Sequence, residues 1–190
     1  MVHLHHGRPD QGIGLTESLL EKCPDELRYL RLQANALSRS GRFRDLIERI
    51  EKLESLGESG YDLDLLMSLA CQREGRTAEC ESRIHAALAT APHVAAVQRC
   101  AGQLRSEQAQ WDDAERHLRK ALELDPEDLD SYLGLCPLLL RKQDFEGALE
   151  SALSVLSRLY YHPQAHYFAA RAWVGLSDPS RAICSLELSL

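Results

Sequence analysis

The sequence predicts an all-α solenoid of antiparallel helix pairs, and two ladders that share one spacing predict it. Gly7, Gly41, Gly75, Ala109, Gln143 and Ser177 recur at one constant interval, each opening the same short turn into a helix-forming segment. Gly12, Leu46, Cys80, Ala114, Ala148 and Ala182 recur at the same interval and in the same phase, each shortly after one of those turns. The interval is about 34 residues, the length of a helix–turn–helix repeat, and it marks a stacked array in which each unit buries its apolar face against its neighbours. No run of period-two alternation offers a place for a sheet.

In order along the chain, this register places helices at 8–22, 25–39, 43–56, 59–73, 77–90, 93–107, 111–124, 127–141, 145–158, 163–175 and 179–190. Pro24, Pro92, Pro126 and Pro163 each fall just before or inside the first turn of one of them, where a missing N–H costs nothing. Ser40 and Gly41 before Phe43, and Asp125 with Asp128, supply turn and capping chemistry at two further starts. Leu118, Ala121 and Leu122, then Leu149, Ala152, Leu153 and Leu156, form stripes wide enough for helices touched on two sides. Pro137 lies inside 127–141 and predicts a kink there, because it removes one backbone bond.

The period, with Trp111, Asp112, Asp113 and Ala114 running on to Ala121, Leu122, Glu123, Leu124, Asp125 and Pro126, resembles the tetratricopeptide repeat family. The resemblance covers nearly the whole chain and implies a right-handed superhelix. It divides residues 1–190, as one domain, into a half repeat 1–24 and repeats 25–58, 59–92, 93–126, 127–160 and 161–190. Tyr132, Leu135 and Gly102 stand where the family places an aromatic, a leucine and a small residue in its first helix. The link 56–60 lacks the usual proline, Asp64 replaces the aromatic, and Pro163 is displaced in the link 158–163. Both ends look cut, so the chain is expected to be a fragment of a larger protein.

Composition narrows the function classes. The net charge of −7 disfavours nonspecific nucleic-acid binding, which needs several Lys and Arg on phosphates. The longest apolar stretches, such as Leu138 to Leu140, fall far short of the roughly 20 residues of a membrane span. Met1 to Pro9 has no apolar run behind a basic start, and a cytoplasmic location is expected. There is no phosphate loop, no His-Glu-x-x-His and no Gly-x-Ser-x-Gly, so no enzyme and no cofactor are expected.

Six cysteines show no Cys-x-x-Cys pair, and most fall on core positions as reduced thiols. Cys71 and Cys80 flank the turn at Gly75, where a disulfide is the alternative. His3, His5 and His6 read as a solvated terminus rather than a metal site, and His162, ahead of Pro163, as a cap or surface residue rather than a ligand with His166.

The family resemblance assigns the concave surface to the first helix of each repeat. Its outward positions are Arg28, Arg31, Asn35, Arg39, Asp62, Leu65, Leu69, Arg73, Arg99, Gln103, Glu107, Asp130, Leu133, Leu140, Arg141, Gln164, Tyr167 and Arg171. Seven arginines face three acids. Arginine suits carboxylates through its bidentate fork, so an acidic or C-terminal segment of a protein partner is the expected ligand. Arg28, Arg31 and Asn35 would hold its charge, and Leu65, Leu69, Leu133 and Tyr167 its apolar side chains, with Arg73, Arg99, Gln103, Arg141 and Arg171 completing the groove. The alternative is that these arginines pair with neighbouring acids. The five-residue clamp by which some members hold chaperone tails is broken: Arg31 and Asn35 match its first two positions, but Leu66, Ala96 and Cys100 occupy the others.

A scaffold for protein interaction is therefore the leading reading. Residues 161–175 also resemble the repeat tails that follow an alkaline-phosphatase-like phosphodiesterase domain in some bacterial proteins, which would make the chain an accessory part of a hydrolase. A third reading is self-association, with Ile183, Leu186 and Leu190 of the last helix pairing with a second copy.

Overall fold

The computed structural model describes residues 9–189 and contains, among them, eleven helices and no strand. The chain divides into two compact units, one up to Pro92 and one from His93. The first holds α1 (Pro9–Leu20), α2 (Leu27–Ser40), α3 (Phe43–Ser55), α4 (Tyr61–Arg73) and α5 (Thr77–Thr90). The second holds α6 (Ala95–Glu107), α7 (Trp111–Leu124), α8 (Leu129–Arg141), α9 (Phe145–Leu156), α10 (Pro163–Gly175) and α11 (Pro179–Glu187). Within each unit every helix packs on the next in sequence, and alternate helices also touch: α2 with α4, α6 with α8, and α8 with α10. That second set of contacts lays α6, α8 and α10 along one side of their unit.

The short turn inside each helix pair has one geometry. Gly41 (φ 74), Gly75 (φ 77), Ala109 (φ 59), Gln143 (φ 61) and Ser177 (φ 61) all take the left-handed conformation. In each case the next residue's N–H reaches back over the helix end, Arg42 to Leu37 O, Arg76 to Cys71 O, Gln110 to Arg105 O, Asp144 to Leu139 O and Asp178 to Trp173 O. This six-to-one bond satisfies a terminal carbonyl and fixes the exit direction of the chain.

The longer links depart from the expected starts. Pro24 and Pro126 lie ahead of their helices, not in the first turn, because each sits second in a tight turn closed by Glu26 N to Cys23 O and Asp128 N to Asp125 O. Accordingly α2 and α8 begin at Leu27 and Leu129 rather than 25 and 127. Pro163 does open α10, where His162 Nδ1 accepts the Ala165 N–H, so this histidine is a cap. Asp144 and Asp178 cap α9 and α11 in the same way.

The second helices of the pairs are strongly two-sided. In α3, Leu46, Ile47, Ile50 and Leu53 are buried at three- and four-residue spacing. In α7 the buried set is Ala114, Leu118 and Ala121. Leu118 is 1% exposed and sits against two glycines, since a Cβ at Gly102 would come within 2.7 Å of its Cγ and one at Gly134 within 3.0 Å of its Cδ1. The absence of two side chains thus lets α6 and α8 close over one leucine. Burying such a side chain contributes roughly 1.5–3 kcal/mol.

None of the six cysteines forms a disulfide: Cys71, Cys80 and Cys136 are buried, Cys100 half-buried, Cys23 and Cys184 exposed. Burial pushes the Cys71 thiol up to about 11 and the Cys136 thiol up to about 12. It raises Cys100 as well, so these three hold their protons at neutral pH and none is an activated nucleophile.

Candidate functional site

The arginines predicted to line the inner surface fall into two groups. Arg31, on α2, is held by acids of the following helix pair: its Nε donates to Glu58 Oε2 at 2.7 Å and its Nη1 to Asp62 Oδ2 at 2.6 Å. Arg99, on α6, repeats the arrangement two repeats later, with Nε 3.0 Å from Asp128 Oδ2 and Nη1 3.5 Å from Asp130 Oδ2. In each case one guanidinium faces two carboxylates from the start of the next helix pair. The hydrogen bonds to Glu58 and Asp62 raise the Arg31 guanidinium further above its ordinary value. Asn35 is likewise engaged, donating from Nδ2 to the Arg31 carbonyl at 3.0 Å.

The second group lies on aromatic faces. Arg73 sits over the Phe43 ring at 5.8 Å, Arg141 over Trp111 at 4.5 Å, and Arg171 over Tyr167 at 5.9 Å. Arg73 and Arg141 occupy the same place in their repeats, as do Phe43 and Trp111, so the end of one helix pair's first helix is stapled to the preceding second helix. A stacked guanidinium keeps its in-plane donors for a carboxylate. Arg28 is exposed. Among the described residues Arg28, Arg141 and Arg171 make no ion pair.

In the first unit Leu65 and Leu69 are half-buried on α4, beside the exposed Arg73. In the second unit Gln103 and Leu133 come together in one groove of 320 Å³, lined also by Ser106 and Glu107 of α6, by Asp130, Gly134 and Pro137 of α8, and by Gln164 and Phe168 of α10. Tyr167 and Arg171 follow along α10, and Arg141 stands one turn beyond Pro137 on α8. Leu140 does not face outward: it is 7% exposed and belongs to the core with Leu138 and Leu139. Phe168, which no outward pattern singled out, also lines the groove. Pro137 was the available signal for that site, since a proline tolerated inside a helix puts its ring and a spare carbonyl on an open face.

Two polar couples tie first to second helices nearby. Arg83 of α5 bonds Glu54 and Asp64. One repeat further on in each member, His117 of α7 meets Gln98 of α6 at 2.8 Å through Nδ1. Burial holds the His117 imidazole below its ordinary value. His166 is 4% exposed with Nε2 2.7 Å from the Tyr160 carbonyl, so its Nε2 carries the proton and donates. Among the described residues no three His, Cys, Asp or Glu side chains gather as metal ligands, and no helix is long and apolar enough to cross a membrane. His3, His5 and His6 lie outside the described residues. On α11, Ile183 and Leu186 are exposed.

Comparison with known proteins agrees with this architecture. Residues 106–174 match the family model of the tetratricopeptide repeat. No curated protein matches it. Among solved structures it is similar to Cut9 in the APC/C hetero-tetramer Cut9–Hcn1, with a TM-score of 0.88 and 13% identity over 96% of this chain and 36% of that one. It is similar to the human IFIT1 dimer with PPP-AAAA, with a TM-score of 0.77 and 19% identity over 95% and 45%. Against MamA the values are 0.66 and 15% over 83% and 86%. The chain thus spans less than half the length of the Cut9 and IFIT1 chains. The likeness of residues 161–175 to phosphodiesterase repeat tails finds no support among these matches.

Proposed function

We propose that the chain is a non-catalytic scaffold that holds an extended segment of another protein against α6, α8 and α10. The observation that carries this is the groove itself: three first helices supply the amides of Gln103 and Gln164, the apolar surfaces of Leu133, Pro137 and Phe168, and a volume of 320 Å³. Amides suit a peptide backbone, and apolar pockets between them suit alternate side chains. An acidic residue or C-terminal carboxylate of the segment is met by Arg141 and Arg171, whereas Arg31 and Arg99 are already neutralised. Cys71, Cys100 and Cys136, buried and protonated, offer no thiolate nucleophile, and this reading takes the setting as reducing and cytoplasmic. Cut9 is seen with a protein partner and IFIT1 with PPP-AAAA; the net charge of −7 favours the first kind of ligand here.

Photocrosslinking residues placed at Gln103 and Gln164, with a control at Glu150 on α9, test the reading in cells. Crosslinks to one protein from both groove positions and not from the control support it. Equal labelling from all three, or tight binding of PPP-AAAA, sinks it. A second reading, self-association, is favoured by the exposure of Ile183 at 58% and Leu186 at 43%; sedimentation of Leu186→Glu beside the parent chain, over a concentration series, decides that.

A further inference from the structure

The groove carries a feature that its hydrophobic lining does not explain. Pro137 has no N–H, so Leu133 O lacks the donor that a helix supplies four residues on. Both residues line the groove, and helix geometry puts the carbonyl of residue 133 between the side chains of residues 133 and 137. Pro137 is exposed, so the proline is not there to fill the core. Carboxylates share the lining: Glu107 from α6, and Asp130, whose side chain is 64% exposed, from the first turn of α8. Arg99 balances one of the two carboxylates that flank it, Asp128 and Asp130, and leaves the other in excess. The residues that line this space include no lysine or arginine. The walls hold carboxylates, one of them shared with Arg99 of α6, while Arg141 and Arg171 stand beyond them on α8 and α10.

We propose that this part of the groove is a seat for a basic side chain, Arg or Lys, of the bound peptide, with Leu133 O and Asp130 as its acceptors and Glu107 adding negative charge. The inference rests on the reading of the groove as a peptide site and specifies what that peptide must carry. Charge complementarity identifies the occupant: several acceptors in one half-enclosed space match a group with several N–H donors and no lone pair to offer, which describes guanidinium and ammonium and excludes carboxylate. The aliphatic stem of such a side chain runs over Leu133, Pro137 and Phe168 while its head reaches the acceptors. The segment is therefore of mixed charge, a basic residue in the seat and a carboxylate toward Arg141 and Arg171.

An array of octapeptides with randomised flanks and a central Arg, Lys, Gln or Glu, probed with the full chain, tests this. Retention of Arg- and Lys-centred peptides over the others is expected. For one retained peptide, replacing its central residue by Gln, or using the Glu107→Gln, Asp130→Asn double variant, is expected to weaken binding about tenfold or more. Pro137→Ala separates binding from stability: it restores the N–H to Leu133 O, so the melting temperature should rise or hold while affinity for the Arg-centred peptide falls. Unchanged affinity in Pro137→Ala overturns the proposal, as does equal retention of Arg, Gln and Glu centres or preference for Glu, each of which leaves the groove as a peptide site. If no peptide of any kind is retained, the peptide-site reading falls, and this inference with it.

Discussion

The two units build the same turn from different residues. In the first it rests on glycine, at Gly41 and Gly75; in the second on Ala109, Gln143 and Ser177, with φ between 59 and 61. Left-handed backbone costs a residue with a Cβ about 1 kcal/mol, and glycine almost nothing. The conformation is nevertheless the same, because the bond back over the helix end and the packing of the paired helices require it. The second unit also contains the segment that matches the tetratricopeptide model and the leucine enclosed by Gly102 and Gly134, where the first has Ser68 one repeat ahead of Gly102. What differs is where each unit tolerates strain: the second accepts it at its turns, and its Gly102 and Gly134 admit Leu118 between α6 and α8.

The largest expected effect tests that packing. Leu118→Ala empties a fully buried site between two glycines and should cost about 2–5 kcal/mol in urea or thermal unfolding. Gly102→Ala overfills the same site and should cost roughly 1–3 kcal/mol, because Leu118 Cγ stands 2.7 Å from the new carbon. Ser68→Ala at the matching position should cost under about 1 kcal/mol, since it loses only the bond to Leu65 O. Equal costs at 68 and 102 would show that the two units are packed alike.

Next come the turns. Ala109→Gly, Gln143→Gly and Ser177→Gly should each stabilise, or at worst leave stability level, by up to about 1 kcal/mol, while Gly41→Ala and Gly75→Ala should each destabilise by about 1 kcal/mol. Thermal unfolding of the five variants measures this. A loss of stability in all three glycine variants would mean that unfolded-chain entropy outweighs the left-handed strain.

The paired arginines should give smaller effects. Arg99 is 23% exposed beside an Asp128 that is 14% exposed, whereas Arg31 and Asp62 are 36% and 48% exposed. Arg99→Gln is therefore expected to cost more than Arg31→Gln, about 1 kcal/mol against about 0–1 kcal/mol, with the Arg31 difference vanishing in high salt. Chemical denaturation at two salt concentrations measures both.

The smallest effect is a pH slope confined to the second unit. Burial depresses the folded-state pKa of His117 below its ordinary 6.5. The unfolded chain then takes up the proton first, so the stability present above that value declines as pH falls through it and levels off below the folded pKa. Titrating the unfolding free energy of His117→Gln should show that part of the slope removed. An identical slope in the variant would show that His117 does not carry it; the loss due to Glu115, whose pKa Lys142 holds down, comes at lower pH, below the ordinary value of 4.5.

Much of this molecule was written in its sequence. The two ladders set the helix pairs, because each turn must close its helix with one left-handed residue and each second helix must bury a stripe. Helix ends at 77–90, 111–124 and 163–175 coincide with α5, α7 and α10 for that reason. Capping by His162 was legible too, since it precedes a proline at a helix start. Pro137 announced a broken backbone bond. What the sequence could not decide was the state of each arginine. Arg28, Arg31, Arg99 and Arg141 share one outward pattern, yet one is exposed, two are held by acids of the next helix pair and one is stacked on Trp111. Periodicity reports which face a residue takes on its own helix. Whether its charge is free depends on the distance to groups carried by the next helix pair, and tertiary packing alone sets that distance.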